Sequence, residues 1–322
     1  MSLLLRLCLI PFSLCFGCLL PAVPSSESIR KEIKDVYQAI VRIEVVSEQG
    51  SGGRMMKSRS TGSGVIISKN GLVLTNHHVA GKASRLTCRL SDGEEVMADL
   101  LGADAMTDLA LLRLRLDERD PKATPIKTAD FGNSDKVNVG DMCFAMGSPA
   151  GLSQSVTKGI ISNTALISAS SRSFRLDGEN VGELVRWLGH DAVIYPGNSG
   201  GPLVDKNGKI IGINEVGIGS LGGAIPSNLA KNVAQELEKQ GYVSRSWVGL
   251  ECQPMIEENL SGVLVAGVIS DSPADLSEIK AGDIITKYAG TNVSARIPED
   301  IPVFNQLVYS RPANQKLWIH GF

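Results

Sequence analysis

The chain has 322 residues, enough for two domains that each bury their own core. Its 32 basic and 34 acidic residues leave a formal net charge of −2, which excludes a global electrostatic pull toward nucleic acid or anionic lipid. Aromatics at 5%, and 34 glycines set among Val/Ile-rich runs, exclude a mostly helical chain and favour a turn-rich β architecture.

Arg6 precedes an apolar run from Leu7 to Leu20, and a Pro/Ser-rich stretch from Pro21 to Ser26 follows it. The run is shorter than the ~20 residues that span a bilayer, and Pro11 interrupts it, so residues 1–26 read as an export signal and leader. A retained membrane anchor, or lipidation at Cys18, is the alternative. Cys8, Cys15 and Cys18 lie in this segment, which leaves Cys88, Cys143 and Cys252. Three isolated cysteines make neither a disulfide framework nor a CxxC zinc site, and read as small buried apolar side chains.

Ile29, Ile33, Val36 and Ile40 recur at helical spacing behind Ser26, giving a short amphipathic helix that feeds a strand at Val41–Val46. Residues 48–64 are polar and read as a surface loop. Strands are expected at 64–68, 72–75, 85–90, 94–102 and 109–114, then at 124–128, 141–146, 154–162, 192–195, 201–204 and 210–216. Two six-stranded sheets or barrels account for this pattern. Leu229, Val233 and Leu237 mark a helix that Gly241 ends. Beyond it, short strands near 248–252, 262–268, 284–288 and 316–320, with a helix at 299–309, form a small α+β module. The expected organisation is therefore leader 1–26, main domain 27–241 and module 242–322.

Three glycines surround Ser199 in Gly197-Asn198-Ser199-Gly200-Gly201. Such a backbone turns sharply and can aim amide N–H groups at a reacting oxygen, as an acyl-transfer nucleophile requires, although glycine-rich turns are also common in loops. A serine needs a base, and the base needs an orienting acid. The chain holds His77, His78, His190 and His320. His77 and His78 end an expected strand and point to opposite sides of an extended backbone, so one at most faces the serine. His190, near Ser199 in sequence, is the competitor. Asp108, a single charge ahead of an apolar strand, is the best acid, with Asp104 the alternative. Adjacent histidines with no suitably spaced carboxylate do not suit a metal, and no cofactor is expected.

The segments Thr75-Asn76-His77-His78-Val79, Thr107-Asp108-Leu109-Ala110-Leu111, Gly147-Ser148-Pro149-Ala150-Gly151, Gly197 to Leu203 and Gly223-Ala224-Ile225-Pro226-Ser227 resemble, in that order, the chymotrypsin-like serine proteases of the HtrA (Deg) family. The resemblance runs from about Ile29 to Phe322. It implies a mainly β, chymotrypsin-like double six-stranded barrel with His78 as base, Asp108 as orienting acid and Ser199 as nucleophile. The amides of Gly197, Asn198 and Ser199 would form the oxyanion hole. The C-terminal module resembles a PDZ domain, with Trp247-Val248-Gly249-Leu250 as the carboxylate-binding loop and Ile279-Lys280-Ala281-Gly282-Asp283-Ile284-Ile285 as its core segment. The chain stops within the module's last expected strand, at Ile319–Phe322, which reads as a fragment or a trimmed module. Six residues before Ser199, where enzymes cutting after Arg or Lys carry an acid, stands Val193. With Ile213 and Ile225 as walls, such a pocket takes small or medium aliphatic residues, because a buried Lys or Arg would lack a partner.

The resemblance thus implies an exported, ATP-independent serine endopeptidase of the periplasm or cell envelope that acts on unfolded or damaged proteins. It further implies a homotrimer, given the short 48–60 loop, and C-terminal peptides as PDZ ligands. A non-catalytic peptide-binding or chaperone protein on the same fold is the runner-up. Membrane attachment would come only from the N-terminal anchor. The loop at 170–183 would switch the oxyanion hole.

Overall fold

The structure, a computed structural model, describes residues 26–51, 53–148, 154–167, 174–176, 179–182, 184–218, 220–257, 259–312 and 315–321. The apolar run Leu7–Leu20, Cys8, Cys15, Cys18, the segment Pro149-Ala150-Gly151 and half of the 170–183 loop lie outside the described residues. Among the described residues no helix is long and apolar enough to cross a membrane.

Helix α1 (Ser26–Ala39) is the expected amphipathic helix, burying Val36 and Ala39. It leads into β1 (Ile40–Ser51), which pairs with β2 (Arg54–Ile66) from Ile40 opposite Val65 to Ser51 opposite Arg54. The polar stretch expected as a loop is thus the outer half of a long hairpin. The side chains from Arg54 to Thr61 are exposed, but the two main chains satisfy each other, so no apolar face is needed to hold it extended.

Strands β3 (Leu72–Thr75), β4 (Arg85–Arg89), β5 (Glu95–Asp104) and β6 (Leu109–Leu114) complete a closed barrel in the order β1-β2-β3-β6-β5-β4. A second closed barrel, in the order β11-β14-β13-β12-β7-β8, uses β7 (Met142–Gly147), β8 (Ser155–Leu166), β11 (Trp187–His190), β12 (Pro202–Asp205), β13 (Ile210–Ile218) and β14 (Leu221–Pro226). Strands β9 (Phe174–Leu176) and β10 (Glu179–Val181) form a separate pair. This is the mainly β, double six-stranded barrel expected from the sequence.

Other strand assignments in the barrels differ. Residues 124–128 and 192–195 are not strands, the latter being displaced by β11 immediately before it. Strand β14 escaped notice because Gly222 and Gly223 lower its β propensity. The space explains Gly222: a Cβ there would sit 2.4 Å from the His190 ring.

One apolar cluster runs through both barrels, from Val36 and Ile43 through Leu109–Leu112 to Ile213, Ile225 and Leu237. Each fully buried Val, Ile or Leu contributes about 1.5–3 kcal/mol. Helix α3 (Ser227–Gln240) buries Ala230, Val233, Ala234 and Leu237, and Gly241 ends it in the left-handed region at φ 81°. Its end lies so close to β5 that a Cβ on Gly102 would meet the Gly241 carbonyl at 2.1 Å.

A five-stranded sheet follows: β15 (Leu250–Pro254), β16 (Val263–Val268), β17 (Ile284–Tyr288) and β18 (Thr291–Asn292) in order, with β19 (Ile319–Gly321) also on β17. Helix α4 (Ile301–Tyr309) covers it, and Tyr288 meets Phe304 edge-on at 5.9 Å. The connecting segment 242–249 and α4 tie this sheet to the barrels. Arg245 pairs with Asp104, the Ser246 amide donates to the Tyr309 carbonyl (3.1 Å), and Gln306 Nε2 donates to the Leu184 carbonyl (2.6 Å).

Cys88 and Cys143 are fully buried, free thiols, and burial pushes each up to about 12. Thiolate chemistry is thereby suppressed. A thiol reagent applied to the native chain at mildly alkaline pH, with sites mapped by mass spectrometry, is expected to leave Cys88 and Cys143 unlabelled until denaturant is added. Labelling of either in the native state contradicts this packing.

Candidate active site

Two strand ends assemble the first half of the site. In the β3–β6 ladder Thr75 faces Ala110, so the chain just past Thr75 lies beside the chain just before Leu109. Asn76 begins the single turn α2 (His77–Ala80), while Asp108 sits at φ 52°, ψ 40°. That left-handed conformation is unusual for a residue other than glycine and turns both polar ends of Asp108 toward α2.

The Asp108 carbonyl accepts from the His77 amide (3.0 Å) and from Asn76 Nδ2 (2.9 Å). Its carboxylate accepts from the His78 amide at Oδ1 (2.8 Å), and His78 Nδ1 lies 2.6 Å from Oδ2. A carboxylate accepts only, so Nδ1 carries the proton and Nε2 bears the lone pair. Asp108 is fully buried, whereas the His78 side chain is 23% exposed.

The competing residues are engaged elsewhere. Asp104 accepts from the Thr107 amide and hydroxyl and pairs with Arg245. His190 is sealed inside the second barrel, its Nδ1 3.1 Å from the Ala192 carbonyl, and burial pushes its imidazole down.

The second half comes from the Gly197–Gly201 turn. A Cβ at Gly200 (φ 85°) would meet the Ser63 carbonyl at 2.2 Å and Thr75 Oγ1 at 2.3 Å, and one at Gly201 would meet the Met146 carbonyl at 2.1 Å. The turn can press against the first barrel at Gly200, and against β7 of its own barrel at Gly201, only because both are glycine. Ser63 stitches the contact. Its amide donates to the Ser199 carbonyl (2.9 Å), its hydroxyl donates to the Gly197 carbonyl (2.5 Å), and that hydroxyl accepts from the Ser148 amide (2.8 Å).

Of the three amides expected to face an oxyanion, that of Asn198 donates instead to the Tyr195 carbonyl (2.9 Å), closing the turn. The Gly197 and Ser199 amides have no acceptor among the described residues. The Ser199 hydroxyl donates to the Glu215 carbonyl at 3.0 Å.

Glu215 was not legible as a site residue. It is the lone charge in β13, 8% exposed, and its Oε2 accepts from the Trp187 indole N–H. Burial first, and then the Asp108 charge beside it, push its carboxyl well above the ordinary glutamate range, against the opposing pull of the Trp187 bond.

The three residues expected around a specificity pocket are not brought together. Val193 is 50% exposed, its carbonyl accepting from Thr157 Oγ1 (2.7 Å). Ile213 and Ile225 face each other across β13 and β14, fully buried in the shared core, because strand alternation turns both inward. In the C-terminal sheet, Trp247 is 49% exposed and Gly249 has φ 83°. The carbonyls of Val248 and Gly249 accept from the Ala274 and Ile269 amides (both 2.9 Å), and Leu250 opens β15, an edge strand. Among the described residues no cluster of His, Cys, Asp and Glu suits a metal ion.

Comparison with known proteins places this arrangement in context. A family model described as a trypsin-like peptidase domain matches residues 62–213. The chain is 36% identical over 293 residues to a probable periplasmic serine endoprotease DegP-like of Pseudomonas fulva, covering 86% of this chain and 57% of that protein. It is 39% identical over 267 residues to one of Rickettsia conorii, covering 77% and 47%. The chain thus spans about half the length of the curated relatives it matches. Among solved structures, the HtrA-type protease AlgW with tripeptide superposes with a TM-score of 0.75 at 32% identity, covering 93% of both chains. The serine endoprotease from Yersinia pestis gives 0.67 at 28%, covering 94% of both.

Ser63→Ala removes a buried hydroxyl that bridges the two barrels and leaves the Ser148 amide without its partner. Stranding a buried donor costs about 1–3 kcal/mol, and denaturant melts are expected to register a loss of that size. An unchanged midpoint would show that the bridge contributes nothing.

Proposed function

The chain belongs to the HtrA family of trypsin-like proteases, and from that membership we propose that it is an exported serine endopeptidase that cleaves unfolded or damaged proteins. The observation that carries this reading is the Asp108 clamp on His78. Both carboxylate oxygens are engaged by that one residue, which leaves Nε2 as the open base of a site that also contains Ser199.

In this reading His78 Nε2 removes the Ser199 proton as Oγ attacks a peptide carbonyl, and then returns it to the leaving amine as the C–N bond breaks. Water repeats the sequence on the acyl-enzyme. The amides of Gly197 and Ser199 receive the oxyanion, and their lack of other acceptors supports that role. To react, the Ser199 hydroxyl leaves the Glu215 carbonyl and turns toward His78.

Cleavage after small or medium aliphatic residues is the proposed specificity, since Val193 offers no countercharge to Lys or Arg. The C-terminal sheet acts as a PDZ domain that captures C-terminal peptides at the loop Trp247–Leu250, with the peptide added along the edge strand β15. Its role is substrate capture or regulation. The periplasm, as named for the relatives, is the proposed compartment, and a homotrimer the proposed assembly.

Ser199→Ala and His78→Ala are each expected to lower kcat on unfolded casein by roughly 10³-fold or more. A serine-directed phosphonate probe is expected to label wild type but not Ser199→Ala. Full activity in pure Ser199→Ala protein would overturn the reading. Sequenced casein fragments are expected to end in Ala, Val or Ile, and termini dominated by Lys or Arg would overturn the specificity.

A further inference from the structure

The Glu215 carboxyl lies behind the acid of the proposed site, and nothing in the hydrolytic scheme above uses it. It is the only charged side chain in Ile210-Ile211-Gly212-Ile213-Asn214-Glu215-Val216-Gly217-Ile218. Its surroundings come from three other elements. Asp108 faces it from the turn before β6, close enough to hydrogen-bond, with His78 of α2 beyond. Trp187 of β11 donates its indole N–H to Oε2, and Gly182, just after β10, leaves room where a Cβ would stand 2.8 Å from Oε1. Among the described residues no Lys or Arg forms an ion pair with Glu215 or Asp108.

Two buried carboxyl groups in contact, without a cation, do not both ionise, because neither charge has water or a counterion to stabilise it. The hydrogen bonds decide which one holds the proton. Asp108 accepts at both oxygens from His78 and is committed as an acceptor. Glu215 accepts at one oxygen from Trp187, so the other is available to carry hydrogen. We propose that Glu215 is a neutral positioning residue whose carboxylic acid donates a hydrogen bond to Asp108, so that the pair carries a single negative charge. The raised ionisation of the Glu215 acid agrees with this assignment.

Two consequences follow. Glu215 braces Asp108 through its side chain while its own carbonyl receives the Ser199 hydroxyl, so one residue registers the acid of the first barrel against the serine of the second. When the pH rises far enough for Glu215 to ionise, the donor is lost and two like charges meet behind the imidazole. Folding stability carries the same sign: an acid whose folded value is raised stabilises fully below its unfolded value, and that stability is lost as pH rises toward the folded value.

The functional part of the proposal rests on the hydrolase reading; the protonation state does not. The full chain, labelled with ¹³C at glutamate carboxyl carbons, is titrated by NMR, the Glu215 signal being the one missing from Glu215→Gln. It is expected to stay protonated where the other glutamates ionise, and titration together with them overturns the proposal whether or not the protein cleaves anything. Profiles of kcat/KM against pH then compare wild type, Glu215→Gln and Glu215→Ala. Glu215→Gln keeps a neutral donor and the side-chain volume, so it is expected within ~3-fold of wild type near neutrality, with a coincident acid limb and without the alkaline fall. Glu215→Ala is expected to lose ~10-fold or more, mainly in kcat. An acid limb displaced in Glu215→Gln would show that the wild-type residue is charged, and a loss in Glu215→Gln equal to that in Glu215→Ala would show that it braces nothing. Thermal melts supply a readout free of substrate: Glu215→Gln is expected to gain on wild type as pH rises from the ordinary glutamate range toward neutrality, and parallel curves contradict the assignment. Absence of cleavage in wild type, with the NMR result as expected, would sink the hydrolase reading alone.

Discussion

The histidine half of the site takes its position from Asp108, a carboxylate without exposure to solvent whose two oxygens both bind His78. Hydrogen bonds to an ionised, buried acceptor are among the stronger ones, and breaking either would leave charge uncompensated in a low-dielectric interior. The left-handed backbone at Asp108 is what allows its carbonyl to hold His77 and Asn76 while its side chain holds His78. Such a conformation costs of order 1 kcal/mol or more outside glycine, and the four bonds it makes outweigh that. The histidine turn is therefore built on a residue that follows it in sequence and precedes it structurally.

The second dependency is the closeness of the barrels. Ser199 reaches the first barrel because Gly200 presents no side chain to the Ser63 carbonyl, while Gly201 lets the turn lie against the Met146 carbonyl of β7. Ser63 and Thr75, both fully buried, then satisfy the polar groups that this contact removes from water. Glycine at the seam and hydroxyls beside it are two answers to one problem: main chain packed against main chain with no strand ladder to pair it.

Much of this was readable in advance. The barrels announced themselves through short strands at regular intervals, and α3 through Leu229, Val233, Leu237 and the terminating Gly241. A place at the end of an expected strand put His77 and His78 ahead of His190, alternation let at most one of the two face the serine, and the resemblance singled out His78, the residue whose ring meets the Asp108 carboxylate. What was not readable depends on tertiary neighbours. The outer part of the first hairpin looks like a loop because a ladder exposed on both faces needs no hydrophobic period. The Asn198 amide is withdrawn into its turn by Tyr195, a relation set by local dihedral angles rather than by residue type. Ile213 and Ile225 face inward for reasons of register, which a distance counted back from Ser199 does not contain. Glu215 was the least legible. Its single visible sign was a charge in a strand that is otherwise uncharged, and its meaning comes from Asp108, far away in the chain.

The division of labour between barrels has a consequence in time. The first barrel closes within residues 40–114, whose strand pairings involve nothing later in the chain, so it can form as soon as that segment is free to fold. By then His78 and Asp108 already face each other, but Ser199, Glu215 and the strand β14 that completes the second barrel are still to come. Non-local pairings of this kind form slowly, and larger chains fold unit by unit. A half-made chain thus carries a histidine and an acid with nothing to activate. Under the proposed function, reactivity arrives last, at the moment when the molecule has itself stopped being unfolded polypeptide.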